Sequence, residues 1–346
     1  MRILYGVCGD GMGHAIRSRP IIQWLAKKHQ LEIIAGDKAY PYLKKYIPKT
    51  RRTVSLRLRY RNNRVADFHT VLYNLVILPA QLFFLVRWLV LILRFKPKII
   101  ISDFDHYTTW LGMLLGIPVI SVSNQLILRA SRVEIPAHFR TSYWKTRAVV
   151  RLIAPTAAHY LITTFFYPEK PLSNASLVAP ILRPELAHIQ PATKDFFLLY
   201  QTSTSNKKLL RTIKSLPYHF VIYGFDKRGV EGNCTFKKFN EHEFFHELAS
   251  CKGLITNGGF TLIGEALHFG KPVLSVPIRG QFEQELNAHY VQKLAYGLHT
   301  HSFTPMIMRK FVKNLTVYRQ SLIKYKKQQP VGWKEELTGA LKQHAR

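Results

Sequence analysis

Residues 9–18 read GDGMGHAIRS and follow directly on the apolar run Ile3 to Val7. Glycines at a strand-to-helix junction let a backbone come close to a ligand, commonly an anionic one. Among them, framed by Gly11 and Gly13, stands His14; an imidazole titrates near neutral pH and suits proton transfer. A second stretch, residues 255–288, reads ITNGGFTLIGEALHFGKPVLSVPIRGQFEQELNA. A strand there ends at Thr256, Asn257-Gly258-Gly259 makes a tight turn, and a helix starts near Phe260 or Thr261. Unpaired N–H groups and a positive dipole end therefore meet at a strand's C-terminal edge, which is a seat for phosphate. Glu265 lies one turn on from Thr261, on the same side, where a carboxylate can accept bonds from the two hydroxyls of a ribose. The loop after Pro277 brings Glu283 and Gln284 to the same rim, as polar grips for sugar hydroxyls. In IISDFDHY, residues 100–107, Asp103 ends a further strand, on the edge where open α/β sheets assemble their sites. Asp105 is the second candidate carboxylate.

These residues need elements to hold them. Apolar runs at 2–8, 31–35, 98–102 and 118–122 read as strands, with helical periods at 14–29 and 106–115 between them. The alternation implies a parallel sheet with helical crossovers. It resumes beyond VAPILRPEL, residues 178–186, a linker by its two prolines, with strands at 196–200, 220–223, 253–256 and 272–276. Helical stretches around 206–215, 242–250 and 261–269 separate these. The expected fold class is α/β, two doubly wound, Rossmann-like domains facing across a cleft. The expected boundaries are 1–180 for the first domain and 181–303 for the second. A Lys-rich helical tail, 304–346, has the means to pack back on the first domain. At 346 residues the chain is about twice a typical single domain.

At Gly258-Gly259-Phe260-Thr261, Glu265-Ala266, Gly270-Lys271-Pro272, Pro277, Glu283-Gln284 and Asn287-Ala288 the chain resembles the donor-binding signature of GT-B fold glycosyltransferases. These include the plant and macrolide UDP-glycosyltransferases and the bacterial peptidoglycan N-acetylglucosaminyltransferase. The resemblance is specific over 255–288, weaker over 1–20 and 98–125, and topological elsewhere. It implies that Gly259, Phe260 and Thr261 hold the donor diphosphate, Glu265 the ribose, and Glu283 with Gln284 the donor sugar. Phe239 matches the place where the family holds the uracil. It further implies that His14, in the Gly13-His14 pair, takes the proton from an acceptor hydroxyl, and that Asp103 orients it; Gly11 and Gly13 belong to the acceptor loop. Asp103-Phe104-Asp105 also spells D-x-D, a divalent-metal motif of the other glycosyltransferase fold. A helix N-terminus already neutralises the donor's charge here, so no metal is expected, and no cofactor beyond the nucleotide-sugar donor. Two departures stand out. The loop YQTSTSN, 200–206, lacks the glycines that relatives use near phosphate, offering Thr202, Ser203 and Ser205 instead, and Glu283 replaces an Asp or Gln, which leaves the donor sugar open.

The net charge of +30 points to an anionic partner. Nine Lys/Arg and no acid fall between Lys44 and Arg64, and the alternation in RRTVSLRLRYRNNR reads as a strand with a cationic outer face. Nearby, LVILPAQLFFLVRWLVLIL, residues 75–93, has the length of a membrane span, yet Pro79, Gln81 and Arg87 fit an amphipathic helix better. Such a helix either packs in the core or lies in a membrane interface. Cys8, Cys234 and Cys251 form no C-x-x-C pair and suit a reducing compartment; no secretory h-region precedes Gly9. The expectation is an inverting, metal-independent transfer from a UDP-sugar to a lipid-linked or cell-envelope glycan acceptor. The protein would be cytoplasmic, peripheral on the inner face of the cytoplasmic membrane, with an anionic membrane surface as partner. A UDP-sugar epimerase is the alternative on the same fold, and a basic nucleotide- or nucleic-acid-binding protein the alternative on charge. A nicotinamide fingerprint is incomplete, since His14 occupies its final glycine and Asp37 is the one candidate acid. No aromatic-rich element accompanies the basic stretch, so nucleic acid is not expected.

Overall fold

The apolar runs of the first half become strands buried on both faces; in Arg2–Val7 every residue after the first is buried. Strands of that kind are central members of a parallel sheet covered by helices on each side. The computed structural model describes residues 1–57, 59–61, 64–136, 139–169, 172–201, 207–328 and 330–345. It divides into two compact units, one of residues 1–59, 66–183 and 330–346, the other of 60–65 and 184–329.

Up to residue 183 the strands are β1 (Arg2–Val7), β2 (Gln30–Gly36), β3 (Arg51–Thr53), β4 (Tyr60–Arg61), β5 (Arg64–Val65), β6 (Ile99–Asp103), β7 (Val119–Val122), β8 (His159–Thr163) and β9 (Ala175–Val178). The helices are α1 (Met12–Leu25), α2 (Ala39–Tyr46), α3 (Asp67–Val76), α4 (Leu78–Phe95), α5 (His106–Leu114), α6 (Ile127–Ala130) and α7 (Arg140–Ile153). Seven strands form a parallel sheet in the order β3-β2-β1-β6-β7-β8-β9. The order reverses beside β1: the chain builds outward through β2 and β3, then returns to lay β6 on the other side. Ligand crevices open at such reversals, and here the loops after β1 and β6 meet.

The second unit repeats the plan with β10 (Phe197–Tyr200), β11 (Phe220–Tyr223), β12 (Gly229–Glu231), β13 (Cys234–Lys237), β14 (Leu254–Thr256), β15 (Val273–Ser275) and β16 (Gly297–His299). Its helices are α8 (Lys207–Lys214), α9 (Glu241–Ser250), α10 (Phe260–His268), α11 (Phe282–Lys293), α12 (Pro305–Lys313) and α13 (Leu315–Lys327). The sheet order is β12-β13-β11-β10-β14-β15-β16, parallel except for the β12–β13 pair. The reversal falls beside β10, so the loops after β10 and β14 share an edge.

Residues 304–346 are not one tail. Helices α12 and α13, separated at Asn314, belong to the second unit, where Met308, Phe311 and Leu315 join its core. The last helix, α14 (Trp333–His344), belongs to the first unit, where Leu337, Ala340 and Leu341 enter the core around β1. Trp24 and Trp333 meet edge to face at 5.6 Å, and Ser176 Oγ donates to Glu336 Oε2 at 2.5 Å.

Two expectations fail between Arg51 and Leu93. The cationic stretch 51–64 is not one strand. After β3 the backbone leaves the sheet because side chains satisfy its polar groups instead: Asp37 accepts from Ser55 N, Asn74 from Arg57 N and Thr70 from Arg59 N. β4 and β5 then pair as a short antiparallel hairpin; Leu58, Asn62 and Asn63 lie outside the described residues. The apolar stretch 75–93 is not one helix either, since α3 ends at Val76 and α4 starts after Ile77. Among the described residues, α4 is the one helix long and apolar enough to cross a membrane. Its inner face is nevertheless core: Trp88 and Ile92 pack with Leu4, Ile34, Ile100 and Leu111, and Trp88 Nε1 donates to Thr53 Oγ1 at 2.9 Å. Its outer face leaves Leu82, Phe83, Val86, Val90 and Leu93 exposed, beside Phe68, Val71, Leu72, Leu75 and Val76 of α3.

The buried contribution of α14 gives a direct check. Leu337→Ala removes a fully buried side chain and should cost about 2–5 kcal/mol, seen as a lower denaturant midpoint of the first unit. An unchanged midpoint would mean that α14 is not packed there.

Candidate active site

Val7 of β1 pairs with Asp103 of β6, and Cys8 N donates to the Asp103 carbonyl at 3.0 Å. That register brings the Asp103 side chain to the loop that starts α1. His14 stands in the first turn of α1, with Arg17 and Ser18 three and four residues on, hence on the same helical face. All of them converge on one carboxylate. His14 Nδ1 lies 2.7 Å from Asp103 Oδ1, Arg17 Nη2 donates to Oδ1 at 2.6 Å, Arg17 Nε to Oδ2 at 2.8 Å, and Ser18 Oγ to Oδ2 at 2.8 Å. Arg17 reaches on to Asn124 Oδ1 at 2.7 Å and Ser123 Oγ at 3.2 Å, beyond the end of β7. Tyr5 OH donates to Ser18 Oγ at 3.3 Å.

Asp103 has no exposed surface. Burial pushes its carboxyl up, but the Arg17 charge, the His14 ring and the hydrogen bonds from both outweigh burial and hold it below the usual carboxylate range. An ionised carboxylate at 2.7 Å calls for a proton on His14 Nδ1, since a bare ring nitrogen would set a lone pair against it. In that tautomer the 2.6 Å approach of Arg17 Nη2 to Nδ1 is a contact between two donors that share an acceptor. Nε2 then keeps its lone pair. Phe104 stacks on the imidazole, centroids 5.9 Å apart and planes 12° from parallel, and does so from a left-handed backbone with φ of 55°. That conformation costs a non-glycine residue about 1–3 kcal/mol and persists where the surroundings enforce it.

Asp105 has a different task. Its Oδ2 accepts from Thr108 N at 2.9 Å and Thr108 Oγ1 at 2.8 Å, which caps α5. The two acids of the D-x-D therefore serve separate networks. Gly9 is required by packing, since a Cβ there would meet the backbone of Gly36 at 2.4 Å. Gly11, at the N-cap of α1, has an extended backbone, a Cβ there would make ordinary contact with His14 Cδ2 at 3.9 Å, and Gly13 lies in the first turn. Sequence reading missed Arg17, Ser18, Ser123 and Asn124. The first two were legible as helical neighbours of His14, the last two as a polar pair directly beyond an apolar strand.

In the second unit, α10 begins at Phe260 with Gly259 as N-cap, and no described side chain caps it. A helix start of this kind points its first-turn N–H groups and its positive dipole end toward the space before it, the geometry that receives anions. Gly258 makes the turn at φ of 96°, where a Cβ would sit 2.7 Å from Ser275 Oγ, and Asn287 Nδ2 donates to its carbonyl at 3.0 Å. Phe260 is buried, Thr261 half-buried, and Glu265 is buried one turn further along α10. Gln284 is buried and its Oε1 accepts from Ile278 N at 2.9 Å, so that oxygen latches the 277–281 loop rather than facing a ligand. Glu283 beside it is half-buried. Phe239, just before α9, is half exposed and rests against Tyr200, Tyr223 and Phe244 at centroid distances of 6.0, 6.3 and 5.3 Å. Such a supported ring with a free face can stack a planar base. Thr202, Ser203 and Ser205, the proposed hydroxyl donors after β10, lie outside the described residues.

Comparison with known proteins bears on the family and the fold. The family model for glycosyl transferase family 1 matches residues 1–316. A curated "uncharacterized glycosyltransferase" of Methanosarcina acetivorans is 25% identical over 357 residues, covering 91% of this chain and 90% of that one. Its counterpart in Methanosarcina mazei is 24% identical over 370 residues with the same coverage. Among solved structures, the calicheamicin glycosyltransferase superposes with a TM-score of 0.68 at 14% identity over 100% of both chains. Phytolacca americana UGT2, complexed with UDP-2-fluoro-glucose and pterostilbene, gives 0.67 at 15% identity over 99% of this chain and 98% of that one. At such identities the structures share the fold, which is GT-B.

The Asp103 network carries a pH signature. A depressed carboxyl contributes stability above its unfolded value, near 3.9, and loses it as pH falls through the folded value. Asp103→Asn should therefore destabilise at pH 7, by about 3–5 kcal/mol, because Arg17 is left buried without its anion. The gap between the Asp103→Asn variant and the parent should narrow in denaturant melts below about pH 4; a pH-independent gap would contradict the assignment.

Proposed function

From the premise that the chain belongs to glycosyl transferase family 1, we propose that this glycosyltransferase moves a sugar from a UDP-sugar to an acceptor hydroxyl with inversion and without a metal. The observation that carries the reading is the buried Asp103 carboxylate tied to His14 Nδ1, which leaves Nε2 as a base. In the reaction Nε2 removes the acceptor proton as the oxygen attacks the anomeric carbon. The C–O bond to the diphosphate breaks on the opposite face, so the configuration inverts. Asp103 stabilises the imidazolium that forms, and Arg17, by holding Asp103 ionised, keeps that charge present. The leaving diphosphate would take its donors from the first turn of α10, at Gly259, Phe260 and Thr261. Phe239 would stack the uracil, Glu265 would hold the ribose, and Glu283 with the amide of Gln284 would hold the sugar. His14 is the group to remove. His14→Ala should lower turnover by about 10²–10⁴-fold while leaving UDP affinity by thermal shift unchanged, and retained turnover would refute the base.

The acceptor we infer is lipid-linked or part of a cell-envelope glycan, reached by a protein peripheral on the inner face of the cytoplasmic membrane. The support is the outer surface of the first unit. The exposed apolar faces of α3 and α4 share the unit with exposed Arg51 and Arg52 of β3 and with exposed Arg87 and Arg94 on α4 itself. Helix α7, which sequence reading passed over, adds exposed Trp144, Val149 and Leu152 among Arg140, Lys145, Arg147 and Arg151. Apolar side chains beside cations suit an anionic lipid interface, each Lys or Arg adding about 1 kcal/mol. In vesicle flotation the protein should bind phosphatidylglycerol membranes over phosphatidylcholine, less so as salt rises. Phe83→Asp with Val86→Asp should weaken binding without unfolding the protein, and salt-independent or absent binding would count against a membrane acceptor.

A further inference from the structure

Beyond the donor seat, the β15–α11–β16 crossover gathers three side chains that the transfer reading does not use. Glu285 lies in the first turn of α11, His299 ends β16, and His301 follows it in the next loop. His299 and His301 are two apart, and their rings meet edge to face with centroids 4.8 Å apart. Glu285 Oε2 lies 3.3 Å from His299 Nε2, and Glu285 Oε1 lies 3.6 Å from His301 Nδ1. One ligating atom from each residue can be chosen within 4.8 Å of the others.

An ordinary ion pair would satisfy the buried atoms, and here it does not. Glu285 Oε2 and His299 Nε2 are both buried, and neither makes a hydrogen bond despite their 3.3 Å separation. The carboxylate is 5% exposed. An unsatisfied carboxylate oxygen and an imidazole nitrogen, facing each other without a proton well placed between them, are costly in a buried place. A cation between them removes both deficits. Bonds of about 2.0–2.2 Å to imidazole nitrogen and carboxylate oxygen place neighbouring ligands of a tetrahedron about 3.4 Å apart, close to the two separations found. Two imidazoles and one carboxylate are a donor set for Zn²⁺ and its neighbours in the first transition row, not for Mg²⁺ or Ca²⁺. His301, with its side chain 45% exposed, leaves an open side for water as a fourth ligand and for entry of the ion.

We propose that Glu285, His299 and His301 form a transition-metal site of the Zn²⁺ class that clamps the start of α11 to the end of β16. The loop after β15 is the segment such a clamp steadies, since Gln284, next to Glu285, already latches it at Ile278. The ion is a structural ligand of this crossover, and no step of sugar transfer is routed through it. The site had no cysteine to announce it, and Glu285 lies fourteen positions before His299, outside the spacings by which zinc sites are read from sequence.

The test uses the full, untagged chain, stripped with a chelator and titrated with Zn²⁺ alone. The expected result is about one tightly held equivalent per chain, a higher Tm, and, with Co²⁺ in its place, the visible absorption of a tetrahedral nitrogen and oxygen site. His299→Gln should lower Zn²⁺ affinity by more than the roughly 10–100-fold that loss of an outer-shell partner costs. Because His299 is largely buried, His301→Gln is the companion variant; its exposed side chain should leave the metal-free Tm unchanged while weakening Zn²⁺ binding in the same direction. No Zn²⁺-dependent rise in Tm, or affinity equal to the parent in both variants, would overturn the site. Neither readout depends on sugar transfer, so it stands or falls apart from that reading.

Discussion

Taking a carboxylate wholly out of water costs several kcal/mol unless positive charge and hydrogen-bond donors replace the solvent. At Asp103 four donors from one helix face do so: two from Arg17, one from Ser18 and one from His14. The arrangement binds the first turns of α1 to the end of β6 and, through Asn124 and Ser123, to the segment beyond β7. A carboxylate satisfied this fully is rigid, and the imidazole it holds is rigid with it. Position and tautomer are what a general base requires before any question of basicity arises. The strained backbone of Phe104, between the two acids, is part of the same economy: it lets Asp103 turn toward His14 while Asp105 turns back to cap α5.

The second unit solves a different electrostatic problem with backbone alone. No described side chain caps α10, and its start is shaped by Gly258, whose positive φ and contact with Ser275 exclude a side chain. What such a corner presents is a row of N–H groups and the positive end of a helix, fit for an anion that carries most of its charge on phosphate. Both corners stand beside the central strand of their own sheet, where strand order reverses. In the proposed reaction, proton removal and neutralisation of a leaving diphosphate would fall at the strand-order reversals of two successive copies of one architecture.

Much of this was legible in the residues. Continuous apolar runs marked the parallel strands, and the glycines and prolines marked their ends, because buried parallel strands tolerate no polar alternation and turns demand special backbone angles. The 255–288 pattern marked the glycine turn and the start of α10, since its parts are neighbours along the chain. Misreadings came where backbone polar groups found side-chain partners. Alternation at 51–64 suggested a strand, but Asp37, Thr70 and Asn74 take up the hydrogen bonds that a neighbouring strand would have made. Gln284 adds a contact that spacing did not show: its side-chain carbonyl binds its own loop at Ile278.

By itself, then, the sequence determined the elements, the α/β class, the family signature and the residue types able to do chemistry, because each of these depends on side chains close together along the chain. Tertiary structure decided which of those residues act together. That Asp103 rather than Asp105 meets His14, that Arg17 shares the carboxylate, and that Glu285 faces two histidines all follow from strand register and crossover. Those choices join residues up to 89 positions apart, and no local spacing encodes them, since the pairing of distant strands is settled by how the whole core packs.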